Sequence, residues 1–432
     1  MSTVSLPDGE ALLTDIETFL QQTTATLLPE EPPRRGPGRP RVLPALCLWA
    51  GLLVCVLRGF SSQLALWRLL SVTGLWRYPR FPLSDQAVYN RLERGGTAPL
   101  EQLFRHVGTL LAARGAPYAP HDLAPFAREV VALDESTLDQ VARRLPALRP
   151  VPARDERLLA GKLAGLFDLR RQQWRAVRFV PAPRQNEKVL ARDLVAGLPA
   201  GSLVLADLGY FGFAWFDWLQ DQGQHYISRL RGKTSYTVRH VFYQQGDVFD
   251  GVVWLGAHRA DRAGHAVRLV SLRVGTSTYR YITDVLDPTV LSVAEIARLY
   301  ARRWDIELAF TLVKRHLKLH LLWSAKPVVI QQQLWAVLII AQILQALRLE
   351  IAGRAGVDPY EVSMALLVQY LPEVAREGQD PIAVFVERGR QARFIRPSTR
   401  TVTRAPMIPP EQIVPLPAGM SLQRTPRHAQ KA

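Results

Sequence analysis

The chain has 432 residues, too many for one ordinary core and enough for roughly two to four compact units. A net charge of +16 and a pI near 10.3 point to a polyanionic partner, because clustered Lys and Arg release counterions from phosphates, but they specify no reaction. The two cysteines, Cys47 and Cys55, exclude a disulfide scaffold and a Cys-rich zinc site, and they fit a reducing cytosol.

Residues 1–28 read as a short amphipathic helix with Leu12, Leu13, Ile16, Phe19 and Leu20 at helical spacing. This segment is acidic and polar, with no basic region leading into an apolar run, so no signal peptide is expected. Next comes a Pro-rich basic linker, Pro29 to Val42, whose Gly38, Arg39 and Pro40 share the core of a minor-groove AT-hook. Val42 to Leu57 and Leu334 to Leu347 are apolar but short for a membrane span, and both are expected as buried helices with no membrane partner.

From Leu43 to Val107 the pattern is helical. Its end, LSDQAVYNRLERGG, offers Ser84 as a cap, Gln86, Tyr89, Asn90 and Arg91 as base or phosphate contacts, and Gly95 and Gly96 as a stop. It reads as a small DNA-binding helix or as a bundle helix with a solvated charged face.

At Glu129 the texture changes. Val130 to Leu133 form a short buried strand leading to Asp134, and Leu163 to Leu169 pairs with Trp174 to Val180 across the turn RRQQ. A helix from about Asn186 to Ala196 follows. Then Leu203 to Ala206 forms a buried strand ending at Asp207, with Gly209 allowing a sharp exit. A helix with Trp215, Phe216, Trp218 and Leu219 precedes the strand His225 to Leu230. Three strands, helix, strand, helix, strand is the order of an RNase H-like α/β domain with a mixed sheet. Its first and fourth strands are neighbours, which would bring Asp134 and Asp207 together. Taken singly, each Asp reads as a strand-end turn former.

Residues 231–283 alternate β-prone and polar positions between Gly-bounded turns and read as a β-rich insertion. Arg229, Arg231, Lys233 and Arg239 suit a DNA path and equally a solvated basic face. Beyond it lies YARRWDIELAFTLVK. On a straight helix, Tyr300, Arg303, Glu307 and Lys314 fall in a stripe about 60° wide beside an apolar face of Ile306, Phe310, Val313 and Leu317, while Asp305 projects roughly 160° away from Glu307. Without further context, Arg303 and Glu307 are an ordinary i,i+4 ion pair. Val328 to Ile351 is expected as a long apolar helix covering the sheet, with another helix near Tyr360 to Tyr370. The last thirty-odd residues read as a mostly disordered basic tail.

The spacing Y-x2-R-x3-E-x6-K resembles the signature of the YREK group of DDE transposases of bacterial insertion sequences. LDEST is similar to that family's first acidic block and ADLGYFGF to its second. The family is also similar in having an N-terminal helical DNA-binding domain and a β insertion, which accounts for the long gap between Asp207 and Glu307. The resemblance spans roughly Asp85 to Leu349. One departure is the extra residue in Asp134-Glu135-Ser136-Thr137, where strand alternation and block alignment favour Asp134 over Glu135 as the ligand.

The resemblance implies that Asp134, Asp207 and Glu307 are catalytic metal ligands, Asp134 bridging two ions and the others holding one each. It also implies that Tyr300, Arg303 and Lys314 contact DNA near the reacting end. Three carboxylates without His or Cys suit Mg2+, with Mn2+ as a substitute. Two ions about 4 Å apart serve in-line phosphoryl transfer. The expected units are an N-terminal helix and linker (1–42), a helical DNA-binding domain (43–125), the first part of the core (126–230), the insertion (231–283), the second part of the core (284–352), and a C-terminal helical region with a tail (353–432). The expected protein is a cytoplasmic, nucleoid-associated bacterial DNA transposase that cuts and joins through hairpin ends. Its partners would be double-stranded terminal inverted repeats and target DNA, bound by a homodimer on paired ends. The alternatives are a catalytically silent DNA-binding descendant and another RNase H-like nuclease.

Overall fold

The computed structural model describes residues 16–27, 42–75, 78–138, 147, 149–152, 161–180, 187–258, 261–398 and 405–424. Most of the Pro-rich basic linker, with its AT-hook-like Gly38, Arg39 and Pro40, lies outside them, as do Asn186 and residues 425–432.

The N-terminal helices are α1 (Ile16–Leu27), α2 (Ala45–Leu57), α3 (Gln63–Arg68), α4 (Asp85–Gly95) and α5 (Ala98–Gly115). Ser84 caps α4 by accepting from the Ala87 amide, and Gly96 ends it at φ 66°, a left-handed angle that glycine adopts without Cβ strain.

The core follows as β1 (Val130–Thr137), β2 (Lys162–Asp168), β3 (Gln173–Val180), α6 (Glu187–Val195), β4 (Leu203–Ala206), α7 (Phe213–Asp221) and β5 (His225–Arg229). The insertion comprises β6 (Tyr236–Gln245), β7 (Val248–Leu255), β8 (Val267–Val274) and β9 (Ser277–Thr283). Then come α8 (Val293–Arg302), α9 (Asp305–Thr311), α10 (Pro327–Ala355), α11 (Met364–Arg376) and α12 (Pro381–Glu387).

The nine strands form one mixed sheet in the order β3-β2-β1-β4-β5-β9-β8-β7-β6. Its first five are the RNase H-like order expected from the sequence, with β1 parallel to β4 and β4 parallel to β5. The insertion extends this sheet, because β9 pairs antiparallel with β5 through Ile227↔Thr283 to Arg229↔Tyr281. The unbroken apolar runs of β1 and β4 are explained by burial on both faces. Val131, Leu133, Val204 and Ala206 pack with Phe216 and Leu219 of α7, while Ala132 and Leu205 belong to the core shared with α8, α9 and α10.

Helix α10 has 29 residues and is long and apolar enough to cross a membrane by length and composition, but its apolar window is wholly buried inside the protein. Its glutamines satisfy backbone groups in that interior. Gln332 Nε2 donates to the carbonyls of Leu92 and Gly96 at 2.7 Å each, closing the C-terminus of α4, and Gln342 Nε2 donates to Phe104 O at 3.2 Å.

Three expectations need correction. Strand β1 does not end at Asp134 but runs on to Thr137, because β2 keeps pairing with it there, opposite Gly165 to Lys162. The stretch from Tyr300 to Lys314 is not one straight helix. The Arg303 and Trp304 amides bond back three residues, to Tyr300 and Ala301, a 3-10 tightening that separates α8 from α9, and a π turn at Leu312–His316 follows. Nor is the C-terminal segment loose throughout. Across residues 405–424, Ile413, Leu416 and Leu422 pack on Phe242, Val252 and Trp254 of the insertion, and the Val414 amide donates to Phe242 O at 2.9 Å.

Candidate active site

The sheet register places the two aspartates. Leu133↔Ala206 is the last parallel pair between β1 and β4, so Asp134 and Asp207 stand next to each other just beyond it. β4 stops there because the Asp207 carboxylate accepts from the Gly209 amide at 2.8 Å and turns the chain. Asp134 stays in β1 opposite Gly165, where a Cβ would meet the Trp174 ring at 2.8 Å. Trp174 in turn packs on Phe310 at a centroid distance of 4.9 Å, which holds α9 against the sheet and brings Glu307, in its first turn, to the aspartates.

Asp134, Asp207 and Glu307 thus line one cavity of about 420 Å3, together with Lys314, Arg315 and His320. Arg303 reaches between two of the acids, with Nη1 3.5 Å from Asp134 Oδ2 and Nη2 3.0 Å from Glu307 Oε1. Lys314 donates to the Ser136 hydroxyl. Glu135 also lines the cavity but is paired with Lys162, whereas Asp134 is the acid that meets Arg303. Burial pushes the Asp134 carboxyl up to about 7; the Glu135 amide and Arg303 oppose this, and the negative charges of Asp207 and Glu307 add to it.

Tyr300 is buried and packs on Tyr281 at 5.1 Å, and burial pushes its phenol up to about 12, so it remains a protonated donor at neutral pH. Arg229 stacks over Tyr279 at 5.6 Å and acts electrostatically on Tyr300. Tyr300, Arg303 and Arg229 are not among the residues that line the cavity, nor are Lys233, exposed in the turn between β5 and β6, and Arg91, half-buried on α4. Arg315 and His320 are the residues that sequence reasoning missed. Arg315 lies in the π turn and His320 follows it, where helical spacing no longer says which way a side chain points.

The donor set is all oxygen, which suits a hard divalent cation. Among the described residues no three His, Cys, Asp or Glu stand close enough to hold a metal ion as they are.

Two aspartates on adjacent parallel strands, faced by a carboxylate from a helix, stand on a mixed sheet of RNase H-like order. Residues 128–343, half of the chain, match the family described as Transposase DDE domain, and the chain belongs to that family, whose members use divalent metal ions. No curated protein matches it significantly. Among solved structures, a piggyBac transposase synaptic complex with hairpin DNA, seen by cryo-electron microscopy, is similar at a TM-score of 0.42 and 7% identity, over 89% of this chain and 80% of that one. A likeness that weak carries no argument about mechanism.

Proposed function

We propose that this protein is a cut-and-paste DNA transposase of the YREK group, acting on the inverted terminal repeats of its own element in a bacterial cytoplasm. The supporting observation is that Asp134, Asp207 and Glu307, from three distant parts of a DDE-family chain, line one cavity with basic side chains at its wall. These three are the acids that would hold Mg2+, or Mn2+ in its place. When bound, a pair of such ions activates the attacking oxygen and stabilises the leaving one.

The chain's own residues supply the rest. Lys314 and Arg315 bring positive charge to the cavity wall, where they bind the phosphates flanking the reacting bond, Arg through paired hydrogen bonds and Lys as a point charge. Tyr300, kept protonated by burial, offers a donor within the field of the Arg229 and Arg303 charges. Water cuts one strand to leave a 3′-hydroxyl. That hydroxyl attacks the opposite strand, giving a hairpin and releasing the flank. Reopening the hairpin restores the 3′-hydroxyl that joins target DNA. Two ends must be handled together, so a homodimer on paired double-stranded ends is part of the proposal.

The test is incubation of the protein with a linear duplex carrying its own gene and flanks, in Mg2+ or EDTA, beside Glu307→Gln. Metal-dependent release of a discrete fragment by the wild type alone supports the reading, and hairpin ends on it support the route. Cutting without joining would indicate a different nuclease. Retarded but uncut DNA would indicate a silent DNA-binding descendant.

A further inference from the structure

We infer that Arg303 is a resident counter-cation of the acid set, holding the same carboxylate oxygens that a divalent ion needs, so that metal enters only as Arg303 lets go. The inference rests on the proposed metal role of Asp134 and Glu307 and adds a control on when those acids become available.

The geometry is specific. Both terminal nitrogens of one guanidinium are used, one toward Asp134 and one toward Glu307, at 3.5 and 3.0 Å. Its side chain is only 8% exposed, and its Nε has no hydrogen-bond partner, so its polar contacts are the two acids. A guanidinium and a dication cannot share two carboxylates a few ångströms apart without strong mutual repulsion, and the oxygens facing Arg303 are not free to converge on an ion.

Trp304, 54% exposed, lies under the guanidinium at 5.0 Å, a cation–π contact that does not depend on either acid. A phosphate diester arriving at the cavity offers the planar, paired acceptors that an Arg fork fits best. DNA that draws Arg303 onto a phosphate therefore frees both acids for metal. By linkage, metal that displaces Arg303 must strengthen phosphate binding by the same factor. The arrangement keeps a counter-charge on Asp134 and Glu307 in the DNA-free protein and makes metal loading depend on substrate.

The test measures Mn2+ binding to the full-length, DNA-free protein, read from the electron paramagnetic resonance signal of the free ion. Arg303→Gln is expected to bind Mn2+ about tenfold more tightly than wild type, and Lys314→Gln, which removes the same charge from the same cavity, to gain clearly less. Unchanged or weaker binding in Arg303→Gln, or equal gains in the two variants, overturns the inference, because charge alone would then account for the effect.

If Arg303→Gln fails to fold, Arg303→Lys decides, since it keeps the cation but loses the fork. Its Mn2+ affinity is expected to rise by about threefold, and no rise overturns the inference. Asp134→Asn and Glu307→Gln separate the two layers of argument. If either leaves Mn2+ binding untouched, the ion is not at these acids and the metal-site reading itself fails.

Discussion

Arg302 Nε lies 2.6 Å from Asp305 Oδ2 in the protein interior, on the opposite side of the chain from the contact that Arg303, the next residue, makes with Glu307. Asp305 is fully buried and also takes a 3.3 Å hydrogen bond from Gln172 Nε2. The Gln172 side-chain oxygen accepts from Arg348 Nη2 and from the Tyr360 hydroxyl, each at 2.8 Å. This network fastens the start of α9 to α10 and to the turn at Pro359–Glu361. Two neighbouring Arg–acid pairs thus divide the work, one anchoring the helix and the other facing the cavity.

That division sets the first prediction. Asp305→Ala strips the partner from a buried cation and should cost about 3–5 kcal/mol. Glu307→Gln, at a side chain 36% exposed, should cost under about 1 kcal/mol yet abolish metal-dependent cleavage. Urea unfolding of both variants beside the cleavage assay checks this. Comparable losses of stability would mean that Glu307 is an anchor as well.

Asp134 gives a pH dependence. Its carboxyl is raised from 3.8 to about 7, first by burial and further by Asp207 and Glu307. The folded protein therefore keeps a proton that the unfolded chain releases near pH 4. The associated stability is fully present below that value and is lost as pH rises through about 7. In EDTA, the wild type should lose more stability between pH 5 and 8 than Asp134→Asn does, as read from Tm by scanning calorimetry. Parallel curves for the two proteins would exclude this assignment.

The sheet order and the two aspartates were legible because buried parallel strands leave unbroken apolar runs, and Val130–Leu133 and Leu203–Ala206 each lead straight into an acid. Glu307 was legible through its spacing from Tyr300, Arg303 and Lys314, although the straight helix assumed for that spacing is interrupted at Arg303 and Trp304. What stayed hidden depends on contacts between distant residues. Gln172, Arg348 and Tyr360 have no local pattern that joins them to Asp305. Arg315 and His320 reach the cavity only through the π turn, and the prolines that punctuate residues 405–424 break any helical or strand period that would announce three apolar side chains docking on β6 and β7.

The insertion holds a second buried pair with no signal in the sequence. Arg268 and Asp250 are 0% and 1% exposed, joined by two hydrogen bonds of 2.7 Å, and Arg268 Nη1 donates to Leu291 O at 2.6 Å. Leu291 immediately precedes Ser292, which with Glu295 forms the capping box that starts α8. Asp250→Ala should therefore cost about 3–5 kcal/mol, whereas Asp250→Ala with Arg268→Met should recover much of that, because the double variant leaves no unpaired buried charge. Denaturant unfolding of the full cycle is the measurement. A double variant as unstable as the single one would show that the hydrogen bond to Leu291, not the ion pair, is what matters.

At the far end of β5, His225 Nδ1 lies 2.7 Å from Asp284 Oδ2, while Asp284 Oδ1 accepts from the Tyr226 amide at 2.8 Å. The hydrogen bond to Asp284 raises the His225 pKa above 6.5 against the opposing effect of burial, and the Asp284 charge adds to the rise. For a histidine raised in the folded state, the added stability is fully present below the unfolded value and disappears as pH climbs through the folded one. Asp284→Asn keeps an acceptor for Tyr226 but loses the charge, so its deficit relative to wild type should be larger at pH 6 than at pH 9. Thermal unfolding at the two pH values reads the difference. Because His225 begins the strand on which β9 docks, a deficit independent of pH would mean that the pair acts through strand geometry, with His225 neutral throughout.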